Sequence, residues 1–241
     1  MEKNAIAPPL ELAFIELEQA LRQPQCAICR IIRQSEERYI WGLLYEFTGD
    51  PLIRGELNKT LGFCHYHAHL TTRVVRELQL VSGSGVARIY ETVVQCYRHR
   101  LLGVEVGRRG GLLRRVKKPR EGLVPEHCIV CSFSQSMEMV ELGALGRFLR
   151  HPSHQDLYQH SDGLCNPHFA QLLAKADWGV KNFLLADQKR RMERLEQNLW
   201  ELQRKQSYDV HEAVTEDEAG SWMEAIWRFT GTSWSRLLTR E

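Results

Sequence analysis

One spaced framework occurs twice in this chain, and it constrains the fold more than any other feature. Residues 25–73 and 127–174 each open with Cys-x-x-Cys, carry a proline near the middle, and end in Gly-x-Cys-x-x-His. The first copy places these groups at Cys26, Cys29, Pro51, Gly62, Cys64 and His67, and the second at Cys128, Cys131, Pro152, Gly163, Cys165 and His168. The interval from the second to the third cysteine, 29 to 64 in one copy and 131 to 165 in the other, agrees to one residue. Six of the seven cysteines belong to the framework. Self-similarity of this kind calls for two substructures of one design.

The donor types explain the spacing. A divalent ion with tetrahedral preference takes four nitrogen or sulfur ligands, and two cysteines three positions apart at the start of a helix reach the same ion. A second pair, here Cys and His, completes the shell. The expected quartets are therefore Cys26, Cys29, Cys64 and His67 in the first copy, and Cys128, Cys131, Cys165 and His168 in the second. Helix N-termini favour thiolate over thiol, which suits this role. Two zinc ions are the expected cofactors, and an iron–sulfur cluster with one histidine ligand ranks below zinc. Four protein ligands per ion mark structural rather than catalytic zinc.

The repeat also separates the histidines. His65 aligns with Asn166, His69 with Ala170, and His127 with Gln25, so only His67 and His168 recur at the ligand position. Cys96 lies outside the framework among Val93, Val94 and Tyr97 and reads as a small buried hydrophobe. A redox Cys-x-x-Cys of thioredoxin type is disfavoured because no βαβ pattern surrounds it.

Apolar residues recur at helical spacing. Ile28, Ile31, Ile32, Tyr39, Ile40, Leu43, Leu44 and Phe47 form one face, and Val130, Phe133, Met137, Val140, Ala144 and Phe148 form another. Short helical segments are expected at 52–60 and 153–160, then helices beginning at each Cys-x-x-His, a helix near 86–104, and a long one over 176–206. A last amphipathic segment, Ser221 to Leu238, follows an acidic link at 216–218, and its tryptophans, Trp222, Trp227 and Trp234, are expected to dock onto the bundle. No strand shows convincing alternation. The expected class is all-α: a helical bundle of two pseudo-repeated, zinc-stapled helical hairpin modules plus long C-terminal helices. The boundaries follow as a first module over 1–105, a basic linker over 106–124, and a second module with the C-terminal helices over 125–241.

The paired framework, the Arg38-Tyr39 step within the first long helix, the Gly-Phe-Cys-x-x-His sequence and the Ser221-Trp222 step resemble an uncharacterised bacterial family, catalogued as a domain of unknown function. The resemblance spans roughly residues 22–232; members tend to carry proline after the first cysteine, where this chain has Ala27 and Ile129. It implies the duplicated architecture and no activity.

Between the copies, residues 107–120 hold Arg108, Arg109, Arg114, Arg115, Lys117, Lys118 and Arg120 with no acid. Such a run can neutralise phosphates, but a solvated linker is the preferred reading. Removing these seven cations from the net charge of +2 leaves the remainder at −5, which disfavours a protein built around nucleic acid. Glu36, Glu37, Arg38 and Trp41 read as the wet face of their helix. No stretch approaches the roughly 20 apolar residues of a membrane span, and the N-terminal residues lack a secretion-signal pattern, so the expected location is the cytoplasm. No phosphate-binding loop, dinucleotide fingerprint, nucleophile elbow or carboxylate pair supports an enzyme. The leading expectation is a non-catalytic zinc-binding scaffold for an unspecified protein partner, in an oligomeric state that the sequence does not specify. Nucleic-acid binding through 107–120 and thiol-based redox sensing follow it.

Overall fold

The computed structural model describes residues 10–78, 81–102, 123 and 127–231. Among the described residues there are ten α-helices and no strand, so the class is all-α. Helix α1 (Leu10–Leu21) precedes the first copy, which forms α2 (Ala27–Glu46), α3 (Pro51–Lys59) and α4 (His65–Arg76); α5 (Gly83–Leu102) follows it. The second copy forms α6 (Ile129–Phe148), α7 (Pro152–Gln159) and α8 (Asn166–Lys175), followed by α9 (Trp178–Lys205) and α10 (Glu216–Thr230). The basic run at 107–120 lies outside the described residues. No helix among the described residues is long and apolar enough to cross a membrane.

The mid-repeat prolines start helices. Pro51 and Pro152 occupy the first turns of α3 and α7, where a missing N–H costs nothing and the fixed φ is already helical. Asp50 caps α3, its Oδ1 accepting from the backbone N–H groups of Leu52 at 2.8 Å and Ile53 at 3.1 Å. The turn after each short helix then needs glycine. Gly62 and Gly163 have φ of 91° and 73°, and a Cβ would fall 2.9 Å from Tyr90 Oη in one case and 3.0 Å from Arg191 Nε in the other. Two residues on, Cys64 and Cys165 are the N-cap residues of α4 and α8.

The described chain divides into two compact units, residues 1–33 with 137–241, and residues 34–136. Both divisions fall inside a helix, α2 and α6, where the sequence had suggested sequential modules bounded at 105 and 125. Each unit thus takes the opening turns of one copy together with the later helices of the other. The first unit buries Leu17, Ile28, Leu145, Phe148, Tyr158, Leu184 and Trp227. The second buries Ile40, Leu43, Leu57, Phe63, Leu70, Val74, Ile89 and Val130.

Three sequence expectations are corrected. The acidic stretch 216–218 is the first turn of α10, where Thr215 and Glu218 form a capping box and the acids oppose the positive end of the helix dipole. On α10, Trp227 docks at 8% exposure, but Trp222, Ile226 and Phe229 are 52%, 50% and 62% exposed. The amphipathic pattern pointed to the wrong face because the buried side is held by polar contacts. Arg228 is fully buried, its Nε donates to Glu224 at 3.0 Å, and its guanidinium lies over the Trp227 ring. Cys96 is half-buried on α5, short of the full burial expected.

In the first unit, Arg191 fixes the turn that leads to Cys165. Its Nη1 donates to the Ser161 carbonyl at 2.6 Å, its Nη2 to the Tyr158 and Gln159 carbonyls at 2.9 and 3.2 Å, and its Nε to buried Asp187. The guanidinium therefore satisfies the carbonyls that the end of α7 leaves without helical partners. In the second unit, Arg100 Nη2 donates to the Asn58 and Lys59 carbonyls at 2.9 and 2.8 Å, the latter contact exposed. Replacing Arg191 with Met leaves Asp187 with Arg190 as its remaining partner and removes the donor from the turn carbonyls, and is expected to cost about 3 kcal/mol in urea unfolding. Arg100→Met is expected to cost about 0.5–1.5 kcal/mol. Equal losses would contradict the assignment of Arg191 as the buried clamp.

Candidate metal centres

All eight framework side chains come together, but crosswise. One group is Cys26, Cys29, Cys165 and His168; the other is Cys64, His67, Cys128 and Cys131, with the ligand atoms of each within 4.8 Å of one another. The quartets expected from the sequence, each within one copy, are therefore wrong in their pairing. Chain path is the reason. The start of α4 meets α2 at Glu36, where His67 Nε2 lies 3.2 Å from Oε1. That contact is between two and three helical turns beyond Cys26, roughly 15 Å along the axis, too far for a shared ion. The opening turn of α6 supplies the missing cysteines to α4, and the opening turn of α2 supplies them to α8.

The two cages have tetrahedral dimensions. Sulfur–sulfur edges are 3.6 Å for Cys64–Cys131, 3.8 Å for Cys128–Cys131 and 3.7 Å for Cys29–Cys165. His67 Nδ1 lies 3.2, 3.3 and 3.4 Å from the sulfurs of Cys64, Cys128 and Cys131. His168 Nδ1 lies 3.1 Å from Cys165 and 3.4 Å from both Cys26 and Cys29. An ion bound with ordinary zinc–sulfur and zinc–nitrogen lengths has edges of about 3.8 Å between sulfurs and about 3.6 Å between sulfur and nitrogen. The sulfur edges match, and the nitrogen lies slightly inside. A disulfide would need about 2.05 Å, and all seven cysteines are free thiols.

Each imidazole is oriented from behind. His67 Nε2 faces Glu36 Oε1, and His168 Nε2 faces Glu138 Oε1 at 3.0 Å. Glu36 is 5% exposed and also accepts from the hydroxyls of Tyr66 at 3.0 Å and Ser134 at 2.6 Å; Glu138 accepts from Gln171 Nε2 at 2.6 Å. A carboxylate at Nε2 keeps the proton there and leaves the Nδ1 lone pair for a cation. Glu36 was read from sequence as part of a solvated face, and that reading is overturned. The signal that would have found it was present: Glu36 and Glu138 stand at the same distance past Cys29 and Cys131.

Electrostatics favour a cation in each cage. Burial lowers the His67 pKa, but the Cys128 thiolate and Glu36 outweigh it and raise it to about 10. Burial likewise opposes the thiolates of Cys165 and Cys29 at His168, which nevertheless rises to about 10. Burial raises Cys128, yet His67 prevails and brings it down to about 6, while burial and neighbouring sulfur charge push Cys131 up to about 12. Burial raises Cys26 well above its ordinary value, whereas hydrogen bonds from Cys165 and Cys26 hold Cys29 far below its own. Three crowded thiols resist ionising together, and a divalent cation supplies the charge that lets them.

No family model, curated protein or solved structure matches this chain.

Two outcomes follow from this geometry. Glu36→Ala and Glu138→Ala should each weaken metal binding at their own cage by about 10–100-fold in chelator competition, leaving the other cage unchanged. Metal must displace the protons that His67 and Cys131 hold at neutral pH, so apparent affinity should rise with pH. A fall of at least about tenfold per unit is expected from pH 7.5 to 6, and a flat profile would contradict proton displacement.

Proposed function

We propose that this protein is a non-catalytic, zinc-binding helical scaffold, in which two Cys3His zinc ions hold the helices that present its surfaces to a protein partner. One observation carries the reading: each cage is filled by three thiol sulfurs and an imidazole Nδ1 at tetrahedral spacing, with a carboxylate behind the imidazole. Four protein donors leave no coordination position for water or substrate, which is the character of a structural ion. Soft thiolates in a tetrahedral set favour zinc over hard cations, which prefer oxygen. When bound, the ion would cross-link the opening turn of one copy to the Cys-x-x-His of the other, stabilising the fold. Membership in the bacterial family that the paired framework resembles is part of the same proposal. So is a reducing, cytoplasmic location, where free thiols persist.

Native mass spectrometry and elemental analysis should find two zinc ions per chain in a colourless sample. A brown, iron-containing sample, or fewer than about one zinc per chain, would overturn the zinc assignment. Paired substitutions test the pairing. Cys64→Ser with Cys131→Ser disables one cage and should leave one ion bound; Cys29→Ser with Cys64→Ser, although within one copy, disables both cages and should leave none. One ion retained in the second variant would restore the copy-wise quartets.

A further inference from the structure

A cleft of about 310 Å³ lies on the first unit, lined by Gln159 and His160 after α7 and by Arg190, Arg191 and Arg194 on α9. Three guanidinium groups on little more than one helical turn repel one another, and like charges at i,i+4 destabilise a helix. The guanidinium groups also outnumber the nearby carboxylates. Asp187 is shared by Arg190 and Arg191, and Asp156, exposed at the rim, lies 3.6 Å from His160 Nδ1.

The donors are held in place. Arg191 is 4% exposed and fixed by three backbone carbonyls and Asp187, while Arg190 is anchored on the same carboxylate. His160 Nδ1 faces the Asp156 carbonyl at 2.8 Å, leaving Nε2 without a protein partner among the described residues. Arg194 makes no hydrogen bond or ion pair among the described residues. Arg191 supplies a fixed positive charge at the base of the cleft, and the exposed guanidinium groups of Arg190 and Arg194 supply donors suited to planar, bidentate recognition of phosphoryl oxygens.

Tyr90 of α5 and Arg191 of α9 each pack where a Cβ on the framework glycine would fall, so a tyrosine serves one unit where a guanidinium serves the other.

We infer that the cleft formed by His160, Arg190, Arg191 and Arg194 binds the phosphoryl group of a small molecule. Its volume falls at the lower end of the roughly 300–1,000 Å³ range of small-ligand sites. None of its lining residues is a cage ligand, and the inference does not depend on the identity of the ion.

Calorimetric titration of the full, metal-loaded chain with inorganic phosphate, pyrophosphate and AMP tests the inference. Saturable binding with a Kd of about 1 mM or tighter is expected, weakened at least about tenfold by Arg194→Ala and by Arg190→Ala. Both variants should keep the wild-type metal content, and Arg194→Ala the wild-type melting temperature, because neither side chain is part of a cage and Arg194 makes no ion pair among the described residues. AMP binding more tightly than inorganic phosphate would assign an organic phosphate, and equal affinities would assign the free ion; either result supports the site. No saturable binding by any of the three probes, or binding that both substitutions leave unchanged, overturns it. Loss of metal content in the wild-type chain would count against the scaffold reading and not against the cleft.

Discussion

Cys26 and His168, 142 positions apart in the chain, share an edge of one tetrahedral cage, and the rest of the structure depends on that contact and on its counterpart between His67 and Cys128. Neither cage can form until helices from both copies are in place. In a chain-entropy picture, linking points about 100 residues apart removes roughly 4–5 kcal/mol of freedom from the unfolded chain. A bound ion at such a cage would act as that link and would couple metal binding to the folding of helices from both copies.

Much of the local chemistry of the repeat serves to deliver these donors. Proline starts the short helices α3 and α7, a left-handed glycine turns the chain, and a cysteine at the N-cap opens the next helix with histidine one turn inside it. Glu36 and Glu138 then settle which imidazole nitrogen faces the sulfurs. The two copies use different side chains to hold the glycine turn. Tyr90 packs against one, its hydroxyl 3.4 Å from the Phe63 N–H, while Arg191 clamps the other through backbone carbonyls. A duplicated framework therefore tolerates different side chains where a contact only needs to be filled.

The divergence also explains where pattern reading failed. On α10 the apolar stripe of Trp222, Ile226 and Phe229 faces outward, while Arg228, a residue that hydropathy assigns to solvent, is buried against Glu224 and Trp227. Periodicity reports that a helix has an apolar side and not which side is covered. Glu36 shows the same limit in reverse. A carboxylate in a charged run is usually solvated, and only the arrival of His67, Tyr66 and Ser134 from other helices makes it a buried acceptor.

The sequence by itself determined the helical class and the repeat. It also singled out the eight cysteine and histidine side chains that the structure gathers into two groups able to hold an ion, because the same residue types returning at the same offsets leave little room for accident. It did not determine which donors share an ion. Two copies of one motif offer interchangeable halves, so that spacing is satisfied equally by pairing within a copy or between copies. Tertiary structure decided between them through length. A helix of 20 residues carries the chain well beyond its opening cysteines before α4 begins, so the nearest free Cys-x-x-Cys belongs to the other copy.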